Sequence, residues 1–235
     1  KLNDCEHDQS AEHWLNMKNK NKIITKKIKK LNLRISLGNN TSHSFSTDPA
    51  RFGFTLSRYK FVGKMFEGYK NVLEVGAGDG FKSYIVGQFC NNLTLSDIES
   101  ENLDEYNRTK FKNYDFILND FTKKSISKKF DGIYMLDVLE HINKKKENIL
   151  LKNLKKALKK NGTLIVGMPS LESQKYASKL SKIGHINCKT KKQLKDLMYK
   201  HFNNVYLFSM NDEVVHTGYD QMSHYIIAIA TSKKL

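Results

Sequence analysis

The segment VLEVGAGDGF, from Val72 to Phe81, places the strongest constraint on how this chain folds. A short apolar run around one carboxylate, Glu74, is typical of a buried strand, and three glycines then follow within five residues. Glycine accepts positive φ and lets a ligand approach the backbone closely. With the helical pattern of FKSYIVGQFC after it, the segment predicts a strand, a ligand-binding loop and a helix.

Strand and helix patterns alternate from this segment onward. Helical patterns separate the first five predicted strands and recur at Lys191–Lys200, which predicts a parallel sheet with helices on both faces. The polar segment between the last two strands is too short for a crossover helix, so the last strand is expected to run antiparallel. The seven predicted strands are Asn71–Val75, Leu93–Asp97, Phe116–Leu118, Gly132–Leu136, Thr163–Met168, Val205–Met210 and Tyr225–Thr231.

Residues 1–47 are polar and rich in Lys and Asn, with a helical pattern over Lys22–Leu33. Asp48 suits an N-cap and Pro49 a first helical turn, so a second helix is expected to begin there. We therefore divide the chain into an N-terminal helical extension, 1–47, and a main domain, 48–235. Since residue 1 is Lys rather than Met, we expect the sequence to be part of a longer chain.

The net charge of +16 raises the question of nucleic-acid binding. Only four of the 40 basic residues are arginines: Arg34, Arg51, Arg58 and Arg108. Surfaces that read bases or clamp phosphates favour arginine for its planar fork, so nucleic acid is not the expected partner. The lysines either cover solvated helix faces or attract an anionic substrate or surface.

The remaining composition bears on cellular location. No apolar run approaches the roughly 18 residues of a membrane span. The three cysteines, Cys5, Cys90 and Cys188, form no CxxC pair. An odd number of widely spaced cysteines is not typical of a disulfide-bonded protein and indicates a reducing compartment. We therefore expect a cytoplasmic protein without a membrane span.

Two ligand classes compete for the glycine loop. A dinucleotide site requires G-x-G-x-x-G, whereas here the third glycine comes one residue early and Phe81 follows it. Glu74 is unfavourable beside a pyrophosphate and favours a ligand with an ammonium or sulfonium group. Asp97, at the end of the next strand, is placed to accept hydrogen bonds from two ribose hydroxyls.

Five motifs in order, VLEVGAGDG, LSDIES, LNDFT, FDGIYMLDVLEHI and GTLIVGMPS, span about Asn71–Ser170. Together they resemble the class I S-adenosylmethionine-dependent methyltransferases, and the antiparallel end of the sheet is similar too. The resemblance implies a Rossmann-like α/β fold, a methyltransferase domain over 48–235 and S-adenosylmethionine as cofactor. It is closest to a bacterial group with DVLEH after the fourth strand, similar to the ubiquinone-pathway O-methyltransferases.

The resemblance also implies roles for individual residues. Asp97 would take the ribose with Ile98 beside the adenine, while Asp120 would accept from the adenine amino group with Phe121 packed on the ring. Glu74 would link to the amino end of the methionine part, and Arg58 would pair with its carboxylate. The other residues implied to lie along the methionine part are Gly76, Ala77, Gly78, Gly80, Asp137 and Val138.

The acceptor side contains Asp137, Glu140 and His141, and later His185. The D-x-x-E-H spacing also resembles the small-RNA 2′-O-methyltransferases, in which similar residues bind a divalent ion. Three alternatives stay open. These four residues bind Mn²⁺, Mg²⁺ or Zn²⁺; or Glu140, His141 and His185 act in catalysis without metal, with a histidine as general base; or both histidines are structural.

The predicted function is methyl transfer to an oxygen of a small, carbohydrate-like or phosphorylated acceptor, as in surface-polysaccharide or natural-product biosynthesis. The first alternative is an RNA 2′-O-methyltransferase. The second is a nicotinamide-dependent oxidoreductase, which the glycine spacing and Glu74 disfavour. The third is a cofactor-binding protein without catalysis.

Overall fold

The computed structural model describes residues 5–32, 34–109 and 112–234. Contacts divide the chain into two compact units, with the boundary between Ser36 and Leu37. Helix α1, Cys5–Leu31, belongs to the first unit. The helix begins well before the predicted Lys22, and Leu33, its predicted end, lies outside the described residues. The domain boundary at residue 47 stays a prediction.

The second unit is built on one eight-stranded sheet in the order β3-β2-β1-β4-β5-β8-β6-β7. Strands β1 to β5 pair in parallel, and β8 pairs antiparallel with both β5 and β6, which confirms the predicted antiparallel last strand. The strands are β1 Asn71–Val75, β2 Asn92–Asp97, β3 Asp115–Leu118, β4 Phe130–Leu136, β5 Leu158–Pro169, β6 Phe202–Asn211, β7 Val214–His216 and β8 Tyr225–Lys233.

The eighth strand corrects the predicted count of seven. Strand β7 pairs antiparallel with the end of β6, inside a segment predicted as a loop. Three residues are too few to show the alternation by which a strand is recognised in a sequence.

Seven α-helices lie within the described residues of this unit. Asp48 Oδ1 accepts a hydrogen bond from the backbone N–H of Arg51 at 3.0 Å, which confirms the predicted cap of α3. The helices are α2 Asn39–Thr47, α3 Pro49–Met65, α4 Ser83–Val86, α5 Ser100–Thr109, α6 Glu147–Ala157, α7 Lys179–Gly184 and α8 Lys191–Tyr199, with short 3₁₀ turns at Leu139–His141, Glu172–Tyr176 and Asp220–Met222. Among the described helices, none combines the length and apolar content that a membrane crossing requires.

The predicted helix between β3 and β4 is absent, because residues 119–129 form turns instead. The Asp120 carboxylate accepts hydrogen bonds from the backbone and hydroxyl of Thr122, at 2.9 and 2.6 Å. Such local side-chain bonds favour a turn over a helix.

Two apolar clusters cover the two faces of the sheet. Leu73 belongs to the cluster that includes Leu150 of α6 and Leu197 of α8. Val72, its neighbour in β1, belongs to the opposite cluster with Tyr59 of α3. Burial on both faces leaves the carboxyl ends of the parallel strands as the edge where a ligand binds in such folds.

Candidate active site

The glycine loop after β1 has the predicted left-handed backbone. Gly76, Gly78 and Gly80 have φ of 78°, 57° and 74°. A Cβ on Gly76 would lie 2.3 Å from Val138 Cγ2, and one on Gly80 would lie 2.7 Å from the Tyr106 ring. A Cβ on Gly78 meets no atom within 4 Å. Packing therefore requires glycine at 76 and 80, whereas Gly78 faces open space.

The loop is held against the end of β2. The backbone N–H groups of Gly76 and Ala77 donate to the Ser96 carbonyl at 2.8 and 3.1 Å. Asp97 Oδ2 accepts from the Gly78 N–H at 2.9 Å, and its Oδ1 accepts from the Ile98 N–H at 2.8 Å. Asp97 is buried while the Ile98 side chain is exposed. The structure thus brings the predicted ribose and loop residues together.

Asp79 lies in the glycine loop, and its structural role was not predicted from the sequence. Its buried carboxylate accepts hydrogen bonds from the Thr41 N–H and hydroxyl, at 2.9 and 2.8 Å, and from the Phe81 N–H at 3.2 Å. The Phe52 ring of α3 lies 6.3 Å from the Phe81 ring, between centroids. Helices α2 and α3 are therefore fixed beside the glycine loop.

Glu74 lies beneath the loop in a polar cluster. It is 1% exposed, and the Tyr134 hydroxyl donates to its Oε2 at 2.6 Å. Burial raises the pKa of Glu74, while the neighbouring hydroxyls of Ser83, Tyr134 and Tyr59 act to lower it. Its predicted link to the cofactor stays a prediction.

Asp120 and Phe121 follow β3 and face different environments. Burial alone would raise the pKa of Asp120, but hydrogen bonds from Thr122 and Lys123 lower it below its ordinary value. Phe121 is 2% exposed and packs in the apolar core, where Asn153 Nδ2 donates to its carbonyl at 2.9 Å. The ring therefore belongs to the core and leaves almost no open face, in contrast to the implied packing on an adenine.

Arg58 and Asp137 form an ion pair at the end of β4. Arg58 Nη1 donates to both carboxylate oxygens of Asp137, at 3.3 and 3.2 Å. The guanidinium carbon lies 3.8 Å from the centroid of the Tyr225 ring, and Arg58 is buried. Asp137 has a φ of 57°, a conformation uncommon for a residue with a side chain. Two predicted site residues are thus paired with each other.

Glu140, His141 and His185 form a second cluster. One ligand atom from each lies within 4.8 Å of the others, and the two imidazole centroids are 5.2 Å apart. Glu140 is 0% exposed, and within the described chain neither carboxylate oxygen has a hydrogen-bond partner. The structure thus brings together three of the four residues of the predicted metal site, while Asp137 is paired with Arg58. Metal binding itself stays a prediction.

The tautomers of the two histidines follow from their partners. His141 Nδ1 lies 2.9 Å from the Gly184 carbonyl, and His185 Nδ1 lies 2.8 Å from Oε1 of Gln174. Carbonyl oxygens only accept, so in the neutral form of each ring the proton lies on Nδ1 and the lone pair on Nε2. Both rings are therefore able to accept a proton or ligate a metal at Nε2.

Burial sets the charge states in this cluster. Burial and the nearby Asp137 carboxylate raise the pKa of Glu140 well above its usual range. Burial and the neighbouring His141 lower the pKa of His185. The site therefore favours a neutral imidazole at His185.

A buried network that the sequence did not predict holds His185 near Glu140. The Asn187 N–H donates to the Glu140 carbonyl at 2.9 Å, and its side chain donates to Glu147 at 3.1 Å. Lys189 Nζ forms a buried ion pair with Glu147 at 2.7 Å. These partners are about 40 residues apart, and no local pattern signals such a pair.

Comparisons with known proteins agree with this geometry. The family model described as "Methyltransferase domain" matches residues 47–205. No curated protein matches the sequence.

Solved structures similar to this chain include the N-methyltransferase NodS from Bradyrhizobium japonicum WM9 with S-adenosyl-L-homocysteine. It has a TM-score of 0.60 and 16% identity, covering 80% of this chain and 90% of that chain. The plantazolicin methyltransferase BpumL, with a desmethylPZN analog and SAH, has a TM-score of 0.63 and 14% identity, over 83% and 90%. The PH0226 protein from Pyrococcus horikoshii OT3 has a TM-score of 0.62 and 17% identity, over 80% and 92%. The chain therefore belongs to the methyltransferase-domain family, as a class I S-adenosylmethionine-dependent methyltransferase.

Proposed function

We propose that the chain methylates an oxygen of a small, carbohydrate-like or phosphorylated acceptor. The observation that carries this proposal is the pair of Nε2 lone pairs on His141 and His185, close to the end of β4. A hydroxyl acceptor must lose its proton during methyl transfer, and a positioned imidazole is suited to remove it. The lowered pKa of His185 favours its basic form near neutral pH.

The cofactor half of the site follows from the same edge of the sheet. When bound, S-adenosylmethionine supplies an already activated methyl group, so the chain mainly aligns the reactants and excludes water. We propose that Asp97 binds the ribose and that the open space at Gly78 receives the ligand. The opposite charges of Arg58 and Asp137 complement the carboxylate and ammonium of the methionine part.

A metal-assisted form of this reaction is the second candidate. Glu140 offers two buried oxygens that have no hydrogen-bond partner among the described residues, and the histidines offer two Nε2 atoms. This ligand set suits Mn²⁺, Fe²⁺ or Zn²⁺. A cation held there would lower the pKa of an acceptor hydroxyl. Two histidines and one carboxylate thus support either a base or a metal centre.

The acceptor class is proposed from this chemistry alone. NodS is described as an N-methyltransferase and BpumL as a plantazolicin methyltransferase, so amines are the alternative acceptors to test. A neutral amine is nucleophilic enough to attack before it loses a proton, whereas an alcohol is a weak nucleophile and needs a base to remove its proton during attack. The requirement for a histidine therefore separates the two acceptor classes.

The test combines calorimetry with an acceptor screen. Sugar phosphates, nucleotide-linked sugars and amines are incubated with S-adenosylmethionine, and release of S-adenosylhomocysteine is measured. His141→Ala and His185→Ala should retain S-adenosylhomocysteine binding but lose transfer to hydroxyls by at least about a hundredfold. His43→Ala, which changes an exposed side chain, is the control and should keep full activity.

The same variants separate the two mechanisms. A binding heat for Mn²⁺ that disappears in His185→Ala, with transfer inhibited by a chelator, would support the metal centre. Transfer that survives chelation supports the metal-free base. Full transfer to hydroxyls by both alanine variants would contradict the proposal.

A further inference from the structure

Helix α1 has an exposed apolar stripe flanked by lysines, and two further exposed apolar side chains, Leu15 and Ile23, lie outside it. At 100° per residue, five apolar side chains fall within a sector of about 100°. They are 42–62% exposed, and they are Trp14, Met17, Ile24, Ile28 and Leu31. A soluble helix with such a stripe normally buries it against another surface.

The charge on residues 14–31 of α1 is of one sign, whereas Glu6, Asp8 and Glu12 lie nearer the start of the helix. Residues 14–31 include no aspartate or glutamate, and their seven lysines are Lys18, Lys20, Lys22, Lys26, Lys27, Lys29 and Lys30. Lys20 and Lys27 border the stripe on one side, and Lys18 and Lys29 border it on the other. Lysines in this position lay their apolar stems along the stripe and extend their ammonium groups away from it.

We propose that α1 is an interfacial anchor that docks this methyltransferase on an anionic lipid bilayer. A helix with Trp, Ile and Leu on one face and lysines on the other lies in the membrane plane, with its apolar face among the acyl chains. Each lysine near an anionic leaflet adds about 1 kcal/mol of attraction. The seven lysines exclude α1 as a spanning helix and suit it to a surface.

A second copy of the chain is the competing occupant. Trp14, Met17, Ile24, Ile28 and Leu31 also fit the a and d positions of a heptad repeat, with Asn21 at a further a position. Two such helices would bring two sets of lysines together, with no acidic residue in 14–31 to pair with them. An anionic bilayer neutralises this charge, whereas a second copy doubles it.

Trp14 provides a direct probe, because it is the chain's one tryptophan. Protein comprising residues 1–235 is titrated with phosphatidylcholine vesicles, with and without phosphatidylglycerol, while Trp14 emission and its quenching by acrylamide are recorded. We expect a blue shift and protection only with phosphatidylglycerol, and both should weaken as salt rises.

Two single substitutions make a matched pair. Ile28→Ser removes an apolar side chain from the stripe and should weaken vesicle binding about tenfold. Ile23→Ser makes the same change on the lysine-rich face, where Ile23 is 57% exposed, and should leave binding unchanged. Both variants should bind S-adenosylhomocysteine as the wild type does, which shows that the catalytic domain is intact.

Several results would overturn the proposal. Vesicle co-sedimentation is measured in parallel with Trp14 emission, and failure of the protein to co-sediment with anionic vesicles contradicts docking. Equal binding to vesicles without phosphatidylglycerol, or equal losses in Ile28→Ser and Ile23→Ser, contradicts the basic amphipathic mode. The stripe would instead bind a second copy of the chain if two results are found without lipid: a blue shift of Trp14 emission that rises with protein concentration, and a dimer in analytical sedimentation.

Discussion

Thr41 donates two hydrogen bonds to the buried carboxylate of Asp79, one from its backbone N–H at 2.9 Å and one from its hydroxyl at 2.8 Å. Helix α2 has no side-chain cap from its own N-cap residue, Gly38. Asp79, in the glycine loop and 38 residues away, therefore accepts a backbone N–H of the first turn of α2 that would otherwise have no partner within the helix. The contact joins the helices before β1 to the predicted cofactor loop.

Removal of this contact should destabilise the domain. Asp79→Ala is expected to lower the free energy of unfolding by roughly 2–4 kcal/mol, because it leaves a buried N–H and hydroxyl unpaired. Thr41→Val removes only the hydroxyl bond and should cost about 1–2 kcal/mol. Urea unfolding measures both, with exposed Thr47→Val as a control expected within about 0.5 kcal/mol. Equal stability of the two threonine variants would contradict a stabilising role.

Two glycines with similar geometry separate backbone strain from ligand contact. Gly78 and Gly68 have φ of 57° and 80°, and a Cβ on either meets no atom within 4 Å. Alanine at each should cost about 1–2 kcal/mol of stability through the left-handed backbone. Only Gly78→Ala should weaken S-adenosylhomocysteine binding, by at least about tenfold, because its methyl enters the proposed ligand space. Calorimetry that finds equal affinities for both variants would remove Gly78 from the binding site.

Glu140 should make folding stability depend on pH. Burial raises its pKa well above the ordinary value of 4.5, so the folded chain keeps a proton that the unfolded chain has released. The protonated Glu140 therefore adds to the free energy of unfolding. This stabilisation is fully present below the pKa of Glu140 in the unfolded chain and is lost as the pH rises through its raised pKa in the folded chain. Urea unfolding at several pH values should show stability falling over that range.

Glutamine cannot ionise, so Glu140→Gln should reduce the slope of unfolding free energy against pH. Some slope should remain, because burial also raises the pKa of Glu74. Exposed Glu67→Gln is the control and should keep the wild-type slope. A Glu140→Gln slope equal to that of the wild type would show that Glu140 is not protonated in the folded chain.

Local patterns were sufficient to predict most of the sheet. Strand β1 occurs at the predicted Asn71–Val75, because its short apolar run around Glu74 ends directly at the glycine loop. Strand β5 begins at Leu158, five residues before the predicted Thr163. The prediction started too late because Lys159, Lys160 and Asn161 interrupt the apolar pattern. Tertiary pairing with β4 determines that extension, and a pattern within one strand does not report it.

In the candidate site, too, some features follow from local sequence and others depend on contacts between distant residues. The positive φ of three glycines and the position of Asp97 follow from spacing within one βα unit. The pairs Thr41–Asp79, Arg58–Asp137 and Lys189–Glu147 join residues distant in the chain. The burial of Glu140 likewise depends on a segment more than 40 residues later. Such contacts exist only once the fold has formed.

Calorimetric titration of the wild-type protein with S-adenosylmethionine, S-adenosylhomocysteine and NADH tests the central claim most directly. Asp97→Ala, checked for an unchanged fold by circular dichroism, is titrated alongside. We expect that both adenosyl ligands bind, that NADH does not, and that Asp97→Ala weakens adenosyl binding at least about tenfold. Absence of binding by either adenosyl ligand to the wild type, or binding of NADH in their place, would contradict that claim.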